Sequence, residues 1–324
     1  MVFSGVLMSG TTIAQHVHIA REAEALGYET ALVTEVSGPD AVTVLAAAAA
    51  ATSTIKLATG IIPLYARDPY LMAMTTSSIQ DISEGRFTLG LGTSTPAIIN
   101  GWHGLPFEHP LATTRAYVEL VRTFLAGERV KAEGVFSIKG ASMRASKYPT
   151  RIFLAALNEG MLELAGEVAD GVILNFPTPQ YAARAIEVIG HGLARSGRSR
   201  SDIEIWTCLR AGISDAGADV AGAVRRELLS YCLTPVYQKV FSQDGYGAQV
   251  DEVTRRWRDG DRAGAADAID DDMVSAHAAI GSVPECRDQV QKLLRLGIDK
   301  AVLFPVVAEG GFERYMQTVK AFAL

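Results

Sequence analysis

The residues of this chain whose types could do chemistry are few. They are a carboxylate, Glu35, ending TALVTE (30–35); the pair Gly60 and Ile61 inside IKLATGIIPLYARDPY (55–70); the run GLGTS (90–94); and LNEGM (157–161), which opens a helix. Nothing matches a nucleophile elbow, an HExxH zinc helix or a Walker phosphate loop, so no nucleophile constellation is expected. GLGTST is an incomplete GxGxxG and is not read as a dinucleotide loop. In LNEGM, Asn158 is a suitable helix cap. The N–H groups of Glu159, Gly160 and Met161 then point out of the helix start, where the dipole stabilises an anion. The Glu159 carboxylate must turn away for that to work. Glu35 has three readings: a hydrogen bond to a substrate, a proton relay, or a buried ion pair with Arg67 or Arg210. Asp270, Asp271 and Asp272 read as a solvated helix face, so no metal site is expected. His103 lies in a loop, and His16 and His18 read as structural. Phe176 and Trp206 are candidate walls of a pocket.

These residues need a scaffold, and the periodicity supplies one. Apolar β-branched runs at 3–8, 30–35, 55–61, 86–92, 151–157, 171–176, 203–213 and 300–307 alternate with amphipathic stretches. Runs apolar on both faces read as parallel strands covered by helices. Eight such units point to an α/β (β/α)8 TIM barrel. An open doubly wound sheet would want a glycine fingerprint after the first strand, and SGTTIAQ has none. Two stretches exceed ordinary loops. Residues 93–150 hold a helix and a small hairpin, and 214–285 read as a helical insertion between strand seven and the last barrel helix. The whole chain, 1–324, reads as a single domain. Barrel sites sit at the C-terminal strand ends, which selects Val6 to Ser9, Glu35, Gly60 to Leu64, Gly92 to Ser94, Ala156 to Gly160, Asn175 to Pro177, Arg210 and Pro305.

Bulk properties narrow the partners. With 324 residues, 48% hydrophobic and 20% charged, the chain can bury a large core. A net charge of −6 disfavours nucleic acid. Cys208, Cys232 and Cys286 form no CxxC pair, which fits a reducing cytoplasm. The N-terminus lacks a basic leader, and no apolar run is long enough to span a bilayer.

AREAEALGYETALVTE, ATSTIKLATGIIPLYARDPYLMA, SEGRFTLGLGTS, WHGLPFEHPLATTRAYVELVRTFLAGERVKAEG, LELAGEVADGVILN and AIGSVPECRDQVQKLLRLGIDKAVLFP follow one another over nearly the whole chain. In this order the sequence resembles the bacterial luciferase-like superfamily, and within it most closely the coenzyme F420-dependent oxidoreductases. The resemblance implies a deazaflavin seated against a bulge at the third strand end, with a non-prolyl cis peptide at Gly60–Ile61 pressing one ring face. It implies that Gly92, Thr93 and Asn175 line the ring and that the turn at Asn158, Glu159, Gly160 and Met161 grips the coenzyme phosphate. Glu35 is the candidate catalytic residue, acting on a small-molecule substrate. The histidine that some relatives carry after this acid is Val36 here, which disfavours sugar-phosphate oxidation. The alternatives are an FMN-dependent monooxygenase and a cofactor-less binding relative. A homodimer through helices near strands two and three is also implied.

Overall fold

The computed structural model describes residues 2–214, 219–308 and 311–323. The barrel strands are β1 Gly5–Leu7, β2 Thr30–Val33, β3 Lys56–Thr59, β4 Phe87–Gly92, β5 Arg151–Ala155, β6 Gly171–Asn175, β7 Glu204–Ile213 and β8 Lys300–Pro305. Each is parallel to its neighbour. The ring closes because β7 pairs with both β6 and β8, and β8 pairs with β1. The expected (β/α)8 TIM barrel is therefore the observed fold.

The strands form as they do because both of their faces are buried. Leu7, Leu32, Ala58, Phe153, Ile173, Trp206, Cys208 and Val302 fill the barrel interior. Each large apolar side chain so buried contributes about 1.5–3 kcal/mol. A separate apolar layer joins the outer strand faces to the helices. Trp206, expected as a possible pocket wall, belongs to this plug. It is 2% exposed, lies against Phe153 with ring centroids 4.5 Å apart, and donates its N–H to Glu204.

The barrel helices are α1 Ile13–Ala25, α2 Ala41–Ala51, α3 Pro69–Ser83, α4 Pro110–Leu125, α5 Glu159–Val168, α6 Pro179–Arg195, α7 Val283–Leu294 and α8 Gly311–Ala323. Their starts follow local chemistry: Asp40 caps α2 through Thr43, and Asp68 caps α3 ahead of Pro69. Among the described residues no helix is long and apolar enough to cross a membrane.

The expected hairpin is present, pairing Val130–Ala132 with Ile138–Ala141. The insertion after β7 carries helices Val220–Cys232, Pro235–Phe241, Gly247–Arg258, Arg262–Asp267 and Asp271–His277. It has its own apolar cluster, including Val224, Leu228, Phe241 and Ile269, which reaches the barrel through Phe176 and Val306. Within the stretch expected to be helical, Ala278–Gly281 is instead a strand paired with β7. That short apolar run suits either structure, and the open edge of β7 decides it. Residues 215–218 of the insertion lie outside the described residues.

Candidate active site

The end of β3 is built as a bulge. β3 faces β4 at Leu57↔Phe87 and Ala58↔Thr88, and pairing resumes at Ile62↔Leu91 and Pro63↔Gly92. Three residues, 59 to 61, thus oppose two, 89 and 90. The gap in the ladder is filled by the Thr59 hydroxyl, which donates to the Gly90 carbonyl (2.7 Å) and accepts the Gly90 N–H (2.8 Å). Gly60–Ile61 is a cis peptide, as the resemblance implied. The Gly60 N–H donates to the Val33 carbonyl (2.7 Å) and the Glu35 N–H to the Ile61 carbonyl (3.2 Å), tying the bulge to β2.

Glycines make this seat possible. A Cβ on Gly90 would lie 1.9 Å from the Thr59 carbonyl oxygen, and one on Gly60 would lie 2.2 Å from Leu32 Cδ2. A Cβ on Gly92 would meet the Ile61 side chain at 2.9 Å. Thr93 and Ser94 continue beyond β4, Ser94 with a positive φ of 58°. Phe176, just past β6, has φ 52°. Non-glycine residues seldom adopt this region, and here two of them stand at strand ends on the mouth side of the barrel.

Glu35 takes the ion-pair arrangement with Arg67. Arg67 Nη1 bonds Oε1, Nη2 bonds Oε2 at 3.0 Å, and the Ala41 N–H donates to Oε2 at 3.1 Å. The same guanidinium reaches Asp40 Oδ2 at 2.6 Å. Burial alone would push the Asp40 carboxyl up, but the Thr43 N–H and hydroxyl, with Arg67, outweigh it and hold it below the ordinary range. Tyr117, fully buried, donates to the Arg67 carbonyl at 2.9 Å. Arg67 therefore braces the far end of the bulge against β2 and the start of α2.

Asn158 caps α5 as expected, its Oδ1 accepting the Met161 N–H at 3.0 Å. This corrects one expectation: the Met161 N–H serves the cap and is not offered to an anion. Glu159 and Gly160 keep first-turn N–H groups that have no intrahelical acceptor. Leu111 flanks this turn, 3.1 Å from where a Gly160 Cβ would stand.

Asn175 stands at the end of β6. Its Oδ1 accepts from Arg210 Nη1 and its Nδ2 donates to the Tyr237 hydroxyl at 2.8 Å, so its amide is built into the wall. Arg210, 1% exposed, also bonds Glu227 Oε1 through Nη2 (2.7 Å) and Nε (3.0 Å). Its guanidinium lies over Phe176 (3.7 Å) and Phe304 (4.2 Å). Phe176 is accordingly a support for Arg210 and not a free pocket wall.

The other candidates are dispersed. His103 is exposed, and His16 is buried with Nδ1 2.8 Å from the Thr12 carbonyl. Asp270 caps the helix Asp271–His277, and Asp271 pairs with Arg225. Sequence reasoning did not single out Thr59, Glu227, Tyr231 or Tyr237. A threonine before a glycine bulge was the one available signal, while the insertion residues gave none.

The geometry suits a planar ring. An isoleucine-topped bulge with glycine beside it offers a flat apolar seat, and the α5 start offers two donors for a phosphate. The family profile described as luciferase-like monooxygenase matches residues 2–300. A Mycobacterium tuberculosis protein that carries the name coenzyme F420-dependent oxidoreductase is 32% identical, over 92% of each chain. The 5,10-methylenetetrahydromethanopterin reductase of Methanolobus tindarius is 28% identical over 93% of each. The solved coenzyme F420-dependent tetrahydromethanopterin reductase of Methanopyrus kandleri superposes with a TM-score of 0.80 at 23% identity, covering 98% of this chain and 96% of that one. With the family profile covering nearly its whole length, this chain belongs to the luciferase-like monooxygenase family.

Proposed function

We propose that this protein is a coenzyme F420-dependent oxidoreductase that moves a hydride between the deazaflavin and a small organic substrate. The observation that carries the reading is the bulge at residues 59–61 on the end of β3, cleared by Gly90 and Gly92. When bound, the coenzyme supplies or takes up a hydride, which the protein itself does not provide. The chain's residues bind and orient. Gly60, Ile61, Gly92 and Thr93 seat the ring. Asn158 shapes the turn whose Glu159 and Gly160 N–H groups receive the phosphate. Glu35 is the candidate catalytic carboxylate: with three contacts in place it retains room to accept one more hydrogen bond, from ring or substrate. Holding both reactants in one geometry supplies most of the rate.

Fluorescence titration of the protein with coenzyme F420 and with FMN tests this. Saturable binding of F420, with FMN at least about tenfold weaker (1.4 kcal/mol), supports it. Preference for FMN favours the second reading, a reduced-flavin monooxygenase, for which the family description itself speaks. Binding of neither sinks both and leaves a cofactor-less relative. The three buried free cysteines suit a reducing cytoplasm. We also infer a homodimer through α2 and α3, where Leu71, Met74 and Ile82 are 46%, 45% and 46% exposed along one helix. Light scattering giving twice 34.6 kDa supports this, and a monomer mass ends it.

A further inference from the structure

Around a closed ring of eight strands, β7 stands opposite β3, with β6 and β8 on either side. A ring seated on the β3 bulge therefore turns its free face toward the wall formed by β6, β7 and the insertion. What that wall offers is set by one chain of hydrogen bonds. Arginine can only donate, so Arg210 Nη1 fixes the Asn175 amide with Oδ1 toward itself. Nδ2 is thereby turned to Tyr237, whose oxygen must accept at 2.8 Å. The usual ambiguity of an asparagine amide does not arise here. With its oxygen accepting that hydrogen bond, the Tyr237 hydroxyl has its own hydrogen left to give. Among the described residues no acceptor for that hydrogen is found, and the side chain is half-buried, above the end of β6. Its ring is held edge-on by Tyr231 (4.6 Å) and Phe176 (6.3 Å).

We propose that Tyr237 is a catalytic residue, the proton donor to the substrate oxygen in carbonyl reduction, with Asn175 and Arg210 as its positioning residues. The inference rests on the deazaflavin reading. The reduced deazaflavin, when bound, would supply one hydride, carrying both electrons, to the carbonyl carbon, and the C=O π pair would move onto oxygen. That oxygen takes the phenolic proton of Tyr237, and the phenolate left behind regains one from solvent between turnovers. The reverse sequence serves alcohol oxidation. Burial, reinforced by the neighbouring Tyr231, pushes the Tyr237 phenol up from its ordinary value, so it is protonated and a donor at neutral pH. A donor of this kind contributes about 10²–10⁴-fold in rate.

Two variants test it. Tyr237→Phe removes the proton. Asn175→Asp keeps the shape and the Arg210 contact but turns the second atom into an acceptor, which draws the phenolic proton back into the wall. Each is compared with wild type by F420 fluorescence titration, by thermal melting, and by turnover of reduced F420 with a panel of an aldehyde, a ketone and the quinone menadione. The expected result is turnover lower by about 10²-fold in each variant, with the double variant no lower than either single one. Coenzyme Kd is expected to stay within about twofold of wild type. Wild-type turnover in Tyr237→Phe overturns the proposal. So does loss of coenzyme binding or melting temperature in step with turnover, because the hydroxyl then serves structure. A wild-type protein that binds F420 but reduces none of the panel also overturns it. Failure of wild type to bind F420 overturns the functional reading itself, and is told apart by the titration alone.

Discussion

Thr59→Val probes the bulge without changing its shape. Thr59 is fully buried, and valine replaces its hydroxyl with a methyl of similar size. Two bonds vanish, at 2.7 and 2.8 Å, and they served the N–H and carbonyl of one residue, Gly90. The bulge leaves no ladder partner on β3 to replace them. A buried backbone group left unpaired costs about 1–3 kcal/mol, so the pair costs about 2–6 kcal/mol. For a chain of this size that lowers the melting temperature by about 3–9 °C. Thr59→Ser keeps the hydroxyl and loses one buried methyl, a cost of about 1 kcal/mol. The assay is thermal unfolding followed by far-UV circular dichroism, with F420 titration alongside. Coenzyme affinity should fall in the valine variant, because the same hydroxyl anchors the seat. A valine variant melting within about 2 °C of wild type, or a serine variant worse than valine, refutes the view that these two bonds hold β3 to β4.

Other expectations follow from charged groups. Glu24 Oε1 accepts the N–H groups of Ser53, Thr54 and Ile55, and these outweigh the upward push of burial to bring the carboxyl down to about 2. Its folded value lies below its unfolded one, so its stabilisation is present above the ordinary value of 4.5 and is lost as pH falls toward 2. Melting curves of Glu24→Gln should lose part of that acid dependence, and curves parallel to wild type would count against it. His277, fully buried, has Nδ1 against the Met273 carbonyl at 2.8 Å, and burial depresses its folded value below 6.5. The unfolded chain then binds the extra proton, so stability is lost as pH falls below about 6.5. His277→Asn should flatten that decline between pH 7 and 5, and an unchanged slope would place its origin elsewhere. Arg210→Met leaves Glu227 and Asn175 without their partner, a loss of about 3–5 kcal/mol by the general cost of breaking a buried pair. Hydrogen exchange should then rise across 220–241, and unchanged protection there would show that the insertion docks without Arg210.

The sequence by itself determined the alternation of elements, because burial on two faces leaves unbroken apolar runs for strands and burial on one face leaves a helical stripe. Asn158 was legible as a cap, since a cap is a contact across three residues or fewer. Gly60 was legible as a special position only by resemblance; its reason, the Leu32 side chain on the next strand, appears when β2 lies beside β3. The partner of Glu35 was open between Arg67 and Arg210. Barrel closure chose Arg67, because the ends of β2 and β3 are neighbours, and sent Arg210 to Glu227 of the insertion. Tyr237 carried no signal at all. It meets Asn175 across 62 residues, and only the docking of the insertion on the barrel brings the two together. Periodicity records that a face is buried, while the identity of what buries it is decided by the closed ring and by the helices that settle on its rim.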